Sequence, residues 1–335
     1  IRSLNSTGSI VISAHVGFGK TPCGIFLACR TRHKTLIITK GLPLIKQWGE
    51  DILTFCPTAR VQVLKPKGVF DPNCDFYVVN AQNIVKFPPE TWYDIGTVIV
   101  DEAHLIMAEV LARSLRYIYP RYMIALTATP YRPDGLNKLL DLYFGTRKII
   151  RKLNHPHTAY KVLTGFVPEV EYTDNGSKKR LKWDSVLKSQ AESEDRNELI
   201  VKILRYFSDR KFLVFVKRVS HGEYLYDRLV NVGESVTRFL DTDEDFDRSA
   251  RILVGTTSKI GPGFNHPDLD ALLMATDIEG YFIQYMGRVF RRKDVHPLIF
   301  DLVDKNNLLF KHYKTREQVY LEHGGTVETL DISSI

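Results

Sequence analysis

Gly8-Ser9-Ile10-Val11-Ile12-Ser13-Ala14-His15-Val16-Gly17-Phe18-Gly19-Lys20-Thr21 sets the class of architecture. Ile10, Val11 and Ile12 form a short apolar run, the pattern of a buried strand in a parallel sheet. Gly17 and Gly19 then let the backbone turn tightly and approach a phosphate without a Cβ in the way. The amides that open the following helix face a bound anion. Lys20 is placed to neutralise phosphate charge, and the Thr21 hydroxyl to ligate magnesium. Pro22 suits a first helical turn, where its missing N–H costs least. Ala14 stands where such a loop has its first glycine, a departure at one position.

The chain has 335 residues, enough for two domains with a core each. Apolar residues make up 44% and charged residues 25%, the balance of a soluble globular protein. No apolar run reaches the roughly 18 residues of a membrane span, and no leader pattern opens the chain. The first functional strand begins almost at Ile1, so a region upstream is expected to be missing. A net charge of +7 favours a polyanionic partner. Cys23, Cys29, Cys56 and Cys74 lack CxxC spacing and companion histidines, which argues against a zinc site or a disulfide framework and for reduced thiols in an intracellular compartment.

Apolar β-rich runs alternate with helical stretches, the mark of α/β architecture with parallel sheets. In the first half, strands are expected at about 9–14, 35–39, 76–80, 97–101 and 122–127, with helices at about 22–31 and 42–55. Trp48, within the second helix, reads as a core residue. The run Thr97–Val100 leads into Asp101-Glu102-Ala103-His104. Carboxylates at the C-terminal end of a parallel strand lie in the crevice where such sheets bind ligands. Asp101 suits a magnesium ligand, and Glu102 suits a group that polarises an attacking water. Ile124–Leu126 leads into Thr127-Ala128-Thr129-Pro130, whose hydroxyls emerge at a strand end.

Residues 151–195 differ in composition and read as a linker with a small β-rich insertion; Asn175-Gly176 is a hairpin turn, and Lys178, Lys179, Arg180 and Lys182 form a basic run. A second α/β pattern starts near Arg196. It has a helix over 197–207, strands at about 212–216, 251–256, 271–275 and 298–303, a helix at about 221–231 and a tail helix through 310–321. Within it lie Gly261-Pro262-Gly263-Phe264-Asn265 and Gln284-Tyr285-Met286-Gly287-Arg288-Val289-Phe290-Arg291, with no second phosphate loop.

Taken together, AHVGFGKT, DEAH, TATP, VGT…GFN and QYMGRVFR resemble motifs I, II, III, V and VI of the superfamily 2 helicases and translocases, in that family's order. Ile45-Lys46-Gln47-Trp48 and the QxxGRxxR form look most like the XPB and UvsW group and the related transcript-release helicases of large DNA viruses. The resemblance implies two tandem RecA-like domains, 1–150 and 196–335, with ATP and magnesium in the cleft between them. By matching position, Gly17, Gly19, Lys20 and Thr21 would hold phosphates and metal, Asp101 the metal, and Glu102 the water. Gly263 and Asn265 would lie near the ribose, and Arg288 and Arg291 would reach the γ-phosphate. His104 and Gln284 would link the site across the domains, and Thr127 and Thr129 would relay to nucleic acid. Lys40, Gln82, Lys217, Arg218 and Thr256 are the corresponding nucleic-acid contacts. The implied activity is an ATP-dependent helicase or translocase, on DNA rather than RNA and moving 3′ to 5′, at a nuclear, nucleoid or viral replication site. A duplex translocase that releases transcripts or proteins without unwinding is the first alternative. A P-loop phosphotransferase is the second; it would need no QYMGRVFR.

Overall fold

The computed structural model describes residues 1–15, 18–106, 117–128, 137–151, 154–174, 179–261, 264–278 and 282–335, without the side chains of 104, 105, 137, 173, 174, 179 and 180. Gly17, Thr129, Gly263 and the side chain of His104 therefore lie outside the described residues, as do the hairpin turn and the side chains of the basic run before Leu181. The chain divides into two compact units, Ile1–Leu153 and Asn154–Ile335.

In the first unit, β1 (Ser9–Ala14), β2 (Thr35–Thr39), β3 (Val61–Leu64), β4 (Phe76–Asn80), β5 (Thr97–Val100), β6 (Tyr122–Thr127) and β7 (Lys148–Arg151) form one parallel sheet in the order β3-β4-β2-β5-β6-β1-β7. Side chains alternate between its faces. Val98 and Val100 of β5 pack with Leu36, Ile38, Tyr77 and Val79 on one face, while Ile99 packs with Ile37, Val78, Ile124 and Leu126 on the other. Both faces are thus covered, which is why these strands read as continuous apolar runs. Each fully buried Val or Ile contributes about 1.5–3 kcal/mol relative to exposure. The helix Lys20–Thr31 returns across the second face, where Gly24 lies so close to Leu126, Trp48 and Ile99 that a Cβ would come within 3.1 Å of Leu126.

The second unit repeats the plan. Its strands β8 (His157–Leu163), β11 (Phe212–Val216), β12 (Val236–Phe239), β13 (Ile252–Thr256), β14 (Ala271–Met274), β15 (Leu298–Val303) and β16 (Gly325–Thr329) form a parallel sheet in the order β12-β13-β11-β14-β15-β8-β16. β9 (Tyr172–Asp174) and β10 (Lys179–Leu181) form a separate antiparallel pair. One expectation is corrected here. Residues 157–163 are not linker: β8 sits inside the second sheet between β15 and β16. Its burial is interrupted at Tyr160 and Lys161, so it lacks the unbroken apolar run of its neighbours.

A buried charge network braces the second unit. Arg316 donates from Nε and Nη2 to the two carboxylate oxygens of Asp301, at 2.8 Å each, and from Nη1 to Asp277 Oδ1 at 2.8 Å. Asp277 Oδ2 lies 2.7 Å from His312 Nδ1, and Tyr320 donates its hydroxyl to Asp301. Both carboxylates are thereby paired and hydrogen-bonded, the condition under which a buried charge is tolerated.

Candidate nucleotide and nucleic-acid site

The C-terminal edge of a parallel sheet is where ligands bind, and in the first unit it divides into two stretches. Along β1, β6 and β5 it carries Lys20, Thr127, Asp101 and Glu102; along β2 and β4 it carries Lys40 and Gln82, both exposed. β6 lies between the other two strands of its group, with Ser13 opposite Thr127 and Val100 opposite Ala125. The hydroxyl-bearing strand end is therefore beside the one that carries the acidic pair, as its position in the chain leads one to expect.

Gly19 caps the helix Lys20–Thr31 at φ 92°, a left-handed conformation that favours glycine, and a Cβ there would meet nothing within 4 Å among the described residues. Among the described residues no side chain caps this helix start, so the amides of its first turn are available to an anion. Lys20 Nζ lies 3.0 Å from the carbonyl of Ala14 and 3.4 Å from that of His15, folded over the loop that precedes it. Open space at Gly19, uncapped amides and an adjacent ammonium fit the phosphates of a nucleotide. Hard carboxylate and hydroxyl oxygens, from Asp101 and Thr21, suit magnesium.

Asp101 is 6% exposed. Burial, and next the neighbouring Glu102, push its carboxyl up to about 6, against the opposing pull of the Trp48 N–H, Lys20 and the Glu102 amide. Trp48 Nε1 donates to Oδ2 at 2.8 Å, and the Glu102 amide to Oδ1 at 2.9 Å. Trp48 is thus a core residue, 1% exposed, with a second task that sequence reasoning missed: its indole N–H fixes the carboxylate. The Leu42–Phe55 helix brings it there across 53 residues of sequence. Trp48→Phe should remove the donor and favour the protonated acid, so the acid limb of ATP hydrolysis should move to higher pH and the magnesium requirement should rise. A pH–rate profile and a magnesium titration of the variant check this; an unmoved acid limb would contradict the assignment.

In the second unit, Gln284 and Arg288 lie on the helix Phe282–Val289. Arg288, expected at the γ-phosphate, is 6% exposed: Nη1 donates to the Phe264 carbonyl at 2.6 Å and Nη2 to that of Gly261 at 2.7 Å. It ties down the loop after β13. The helix ends at Val289, so Arg291 does not share its face. Arg291 is only partly buried, donates from Nη1 to the exposed Asn265 side chain, and has an Nε without a hydrogen-bond partner among the described residues. Thr256, expected as a nucleic-acid contact, is 1% exposed and donates its hydroxyl to Asp241 at 2.8 Å. Lys217 and Arg218 follow β11 directly; Lys217 Nζ lies 5.7 Å from the Trp183 ring centre, and Arg218 Nη1 donates to Asp184 at 2.5 Å.

Residues 2–132 match the family described as the type III restriction enzyme res subunit, ResIII. The chain is 42% identical to "Putative helicase 161L" of Invertebrate iridescent virus 6, over 97% of the chain and 79% of the relative. It is 30% identical to "Putative helicase 055L" of Frog virus 3, over 97% and 75%. The "DNA 3'-5' translocase XPB2" of Sulfurisphaera tokodaii is 24% identical over 92% and 80%. Among solved structures, S. cerevisiae Dbp5 bound to RNA and ADP BeF3 superposes with a TM-score of 0.69 at 13% identity, over 97% of this chain and 86% of that one. That likeness gives the fold, two tandem RecA-like units. With relatives this similar along nearly its whole length, the chain belongs to the superfamily 2 helicases of large DNA viruses, enzymes that hydrolyse ATP.

Proposed function

We propose that this helicase acts on DNA, moves 3′ to 5′ and uses magnesium with its ATP. The observation that carries the reading is the divided edge of the first sheet: phosphate-handling residues on β1, β6 and β5 sit beside exposed polar and basic residues on β2 and β4. Gly19, Lys20 and Thr21 bind the phosphates. Asp101 and Thr21 would hold the metal, which supplies charge neutralisation at the transferred phosphoryl group. Glu102 orients the attacking water, and Arg291 rather than Arg288 supplies the positive charge from the second unit, since Arg288 is committed to two carbonyls. DNA and polarity are supported by the name of the XPB2 relative and by the charge of +7. A relative from Acanthamoeba polyphaga mimivirus, 21% identical, is named an RNA helicase, so RNA is the competing substrate. ATPase rates with single-stranded DNA, duplex DNA and RNA at one fixed salt concentration decide between them, because phosphate contacts make affinity steeply salt-dependent. Stimulation by DNA above RNA is expected; stimulation by RNA alone overturns the DNA reading. Forked and blunt duplexes then separate unwinding from translocation.

Thr127 and Thr129 are proposed to couple hydrolysis to movement. Thr127 is fully buried at the end of β6. Replacing both threonines by alanine should keep most nucleic-acid-stimulated ATPase and abolish strand displacement, with a stability cost of about 1–3 kcal/mol where the lost bonds are buried. Both activities and a thermal melt on one preparation check it. A parallel loss of the two activities would assign these residues to the chemical step.

A further inference from the structure

The chain has three tryptophans. Trp48 and Trp92 are enclosed, each 1% exposed. Trp183, at the start of the helix Trp183–Glu192, is only half-buried. Its indole rests against the ring of His312 at 5.3 Å, and His312 is pinned by Asp277, which is itself held by Arg316. The aromatic plane is therefore mounted on a rigid support. Lys217 Nζ stands 5.7 Å from its centre, and Arg218 grips Asp184, the next residue along the helix. Lys217 and Arg218 emerge from the C-terminal end of β11, a central strand of the second sheet. The β9–β10 pair, whose second strand contains Lys179 and Arg180, leads within two residues into Trp183.

We infer that Trp183 and Lys217 form a subsite for one nucleotide of a single-stranded nucleic acid, with the base stacked on the indole and the lysine on the adjoining phosphate. This rests on the reading that the chain acts on nucleic acid, in which Lys217 is already an expected contact, and adds to it a base-stacking surface, Trp183, that the motifs do not supply. An indole offers every base the same π-face, so the subsite is tolerant of sequence, as a motor that steps along a strand requires. The ammonium held over the ring can exchange that cation–π contact for a phosphate as the base arrives. A tryptophan needed only for packing would be enclosed as the other two are.

Because the other two tryptophans are enclosed and out of reach of a stacking base, a change in indole emission on oligomer binding reports chiefly on Trp183. The chain is titrated with unlabelled thymidine and uridine homo-oligomers while emission is followed, and binding of the same oligomers with a fluorescent label is measured in parallel by anisotropy. Emission should be quenched along the binding curve. Trp183→Phe should abolish the quench yet hold affinity within a few-fold, since phenylalanine still stacks; Trp183→Ala should weaken binding about 10-fold. Lys217→Ala should lower the slope of log affinity against log salt by about one. Oligomer binding by anisotropy with unchanged emission, or unchanged affinity in Trp183→Ala, overturns the subsite and leaves the nucleic-acid reading standing. Absence of binding to any oligomer overturns both. The phenylalanine variant keeps the test decisive if the alanine variant does not fold.

Discussion

Replacing Arg291 with alanine should lower ATP hydrolysis about 10³-fold while nucleotide affinity stays within a few-fold. Phosphoryl transfer asks the protein for positioning and charge more than for covalent chemistry, so a guanidinium that meets the γ-phosphate acts chiefly in the transition state. Two arginines of QYMGRVFR compete for this role, and their surroundings separate them. Arg288 is buried, with Nη1 and Nη2 each on a loop carbonyl. Arg291 is only partly buried, donates from Nη1 to the exposed Asn265 side chain and holds the Phe264 carbonyl only through a long 3.5 Å contact from Nη2. Burial also draws its guanidinium down from its ordinary value, a cost that a facing anion would offset. Arg291→Lys should rescue only in part, because an ammonium lacks the planar fork. Arg288→Ala should act through the fold, by removing two buried hydrogen bonds that hold the Gly261 and Phe264 carbonyls, and lower the melting temperature. Single-turnover hydrolysis, nucleotide binding and thermal melts of the three variants form one test. Normal hydrolysis in Arg291→Ala beside a stable but inactive Arg288→Ala would exchange the two roles.

The parts of this molecule that could be read from sequence share a physical cause. Central strands such as β2, β5, β11 and β15 are buried on both faces and appear as unbroken apolar runs. The strands left unpredicted at the sheet edges, β3, β7, β12 and β16, each contact one neighbour and carry polar residues such as Gln62, Lys148, Arg238 and Glu328. Edge strands manage their unpaired side in this way, at the expense of a clear pattern. The left-handed glycine at the start of the Lys20–Thr31 helix and the strand-end place of the acidic pair were legible because local backbone geometry and residue type suffice to define them. Trp48 on Asp101 and Thr256 on Asp241 were not, since each depends on a partner brought in by tertiary packing. Nor does the QxxGRxxR spacing reveal that the helix stops at Val289, between its two arginines.

Glu102→Gln should leave ATP binding in place and reduce turnover roughly 10²-fold or more. Glu102 directly follows Asp101 at the end of β5 and adopts φ 47°, in the left-handed region that residues other than glycine seldom occupy. Such a conformation costs on the order of 1–3 kcal/mol and persists only where the surroundings enforce it. Here the Glu102 amide donates to Asp101 Oδ1 at 2.9 Å, so the turn that sets the direction of one side chain also restrains the other. Glutamine has the same length and the same backbone preferences, so the turn and its hydrogen bond should survive and the melting temperature should barely change. What is lost is a carboxylate able to accept a hydrogen bond from the attacking water and take its proton. Asp101 is no substitute, because in the proposed site its carboxylate is given to the metal and is oriented for that by Trp48 and the Glu102 amide. Turnover is measured alongside binding of a fluorescent ATP analogue, with and without saturating nucleic acid. Near-wild-type hydrolysis in a variant that binds ATP and melts normally would remove Glu102 from the water-orienting role. Loss of binding would instead place this side chain among the groups that hold the nucleotide in its ground state.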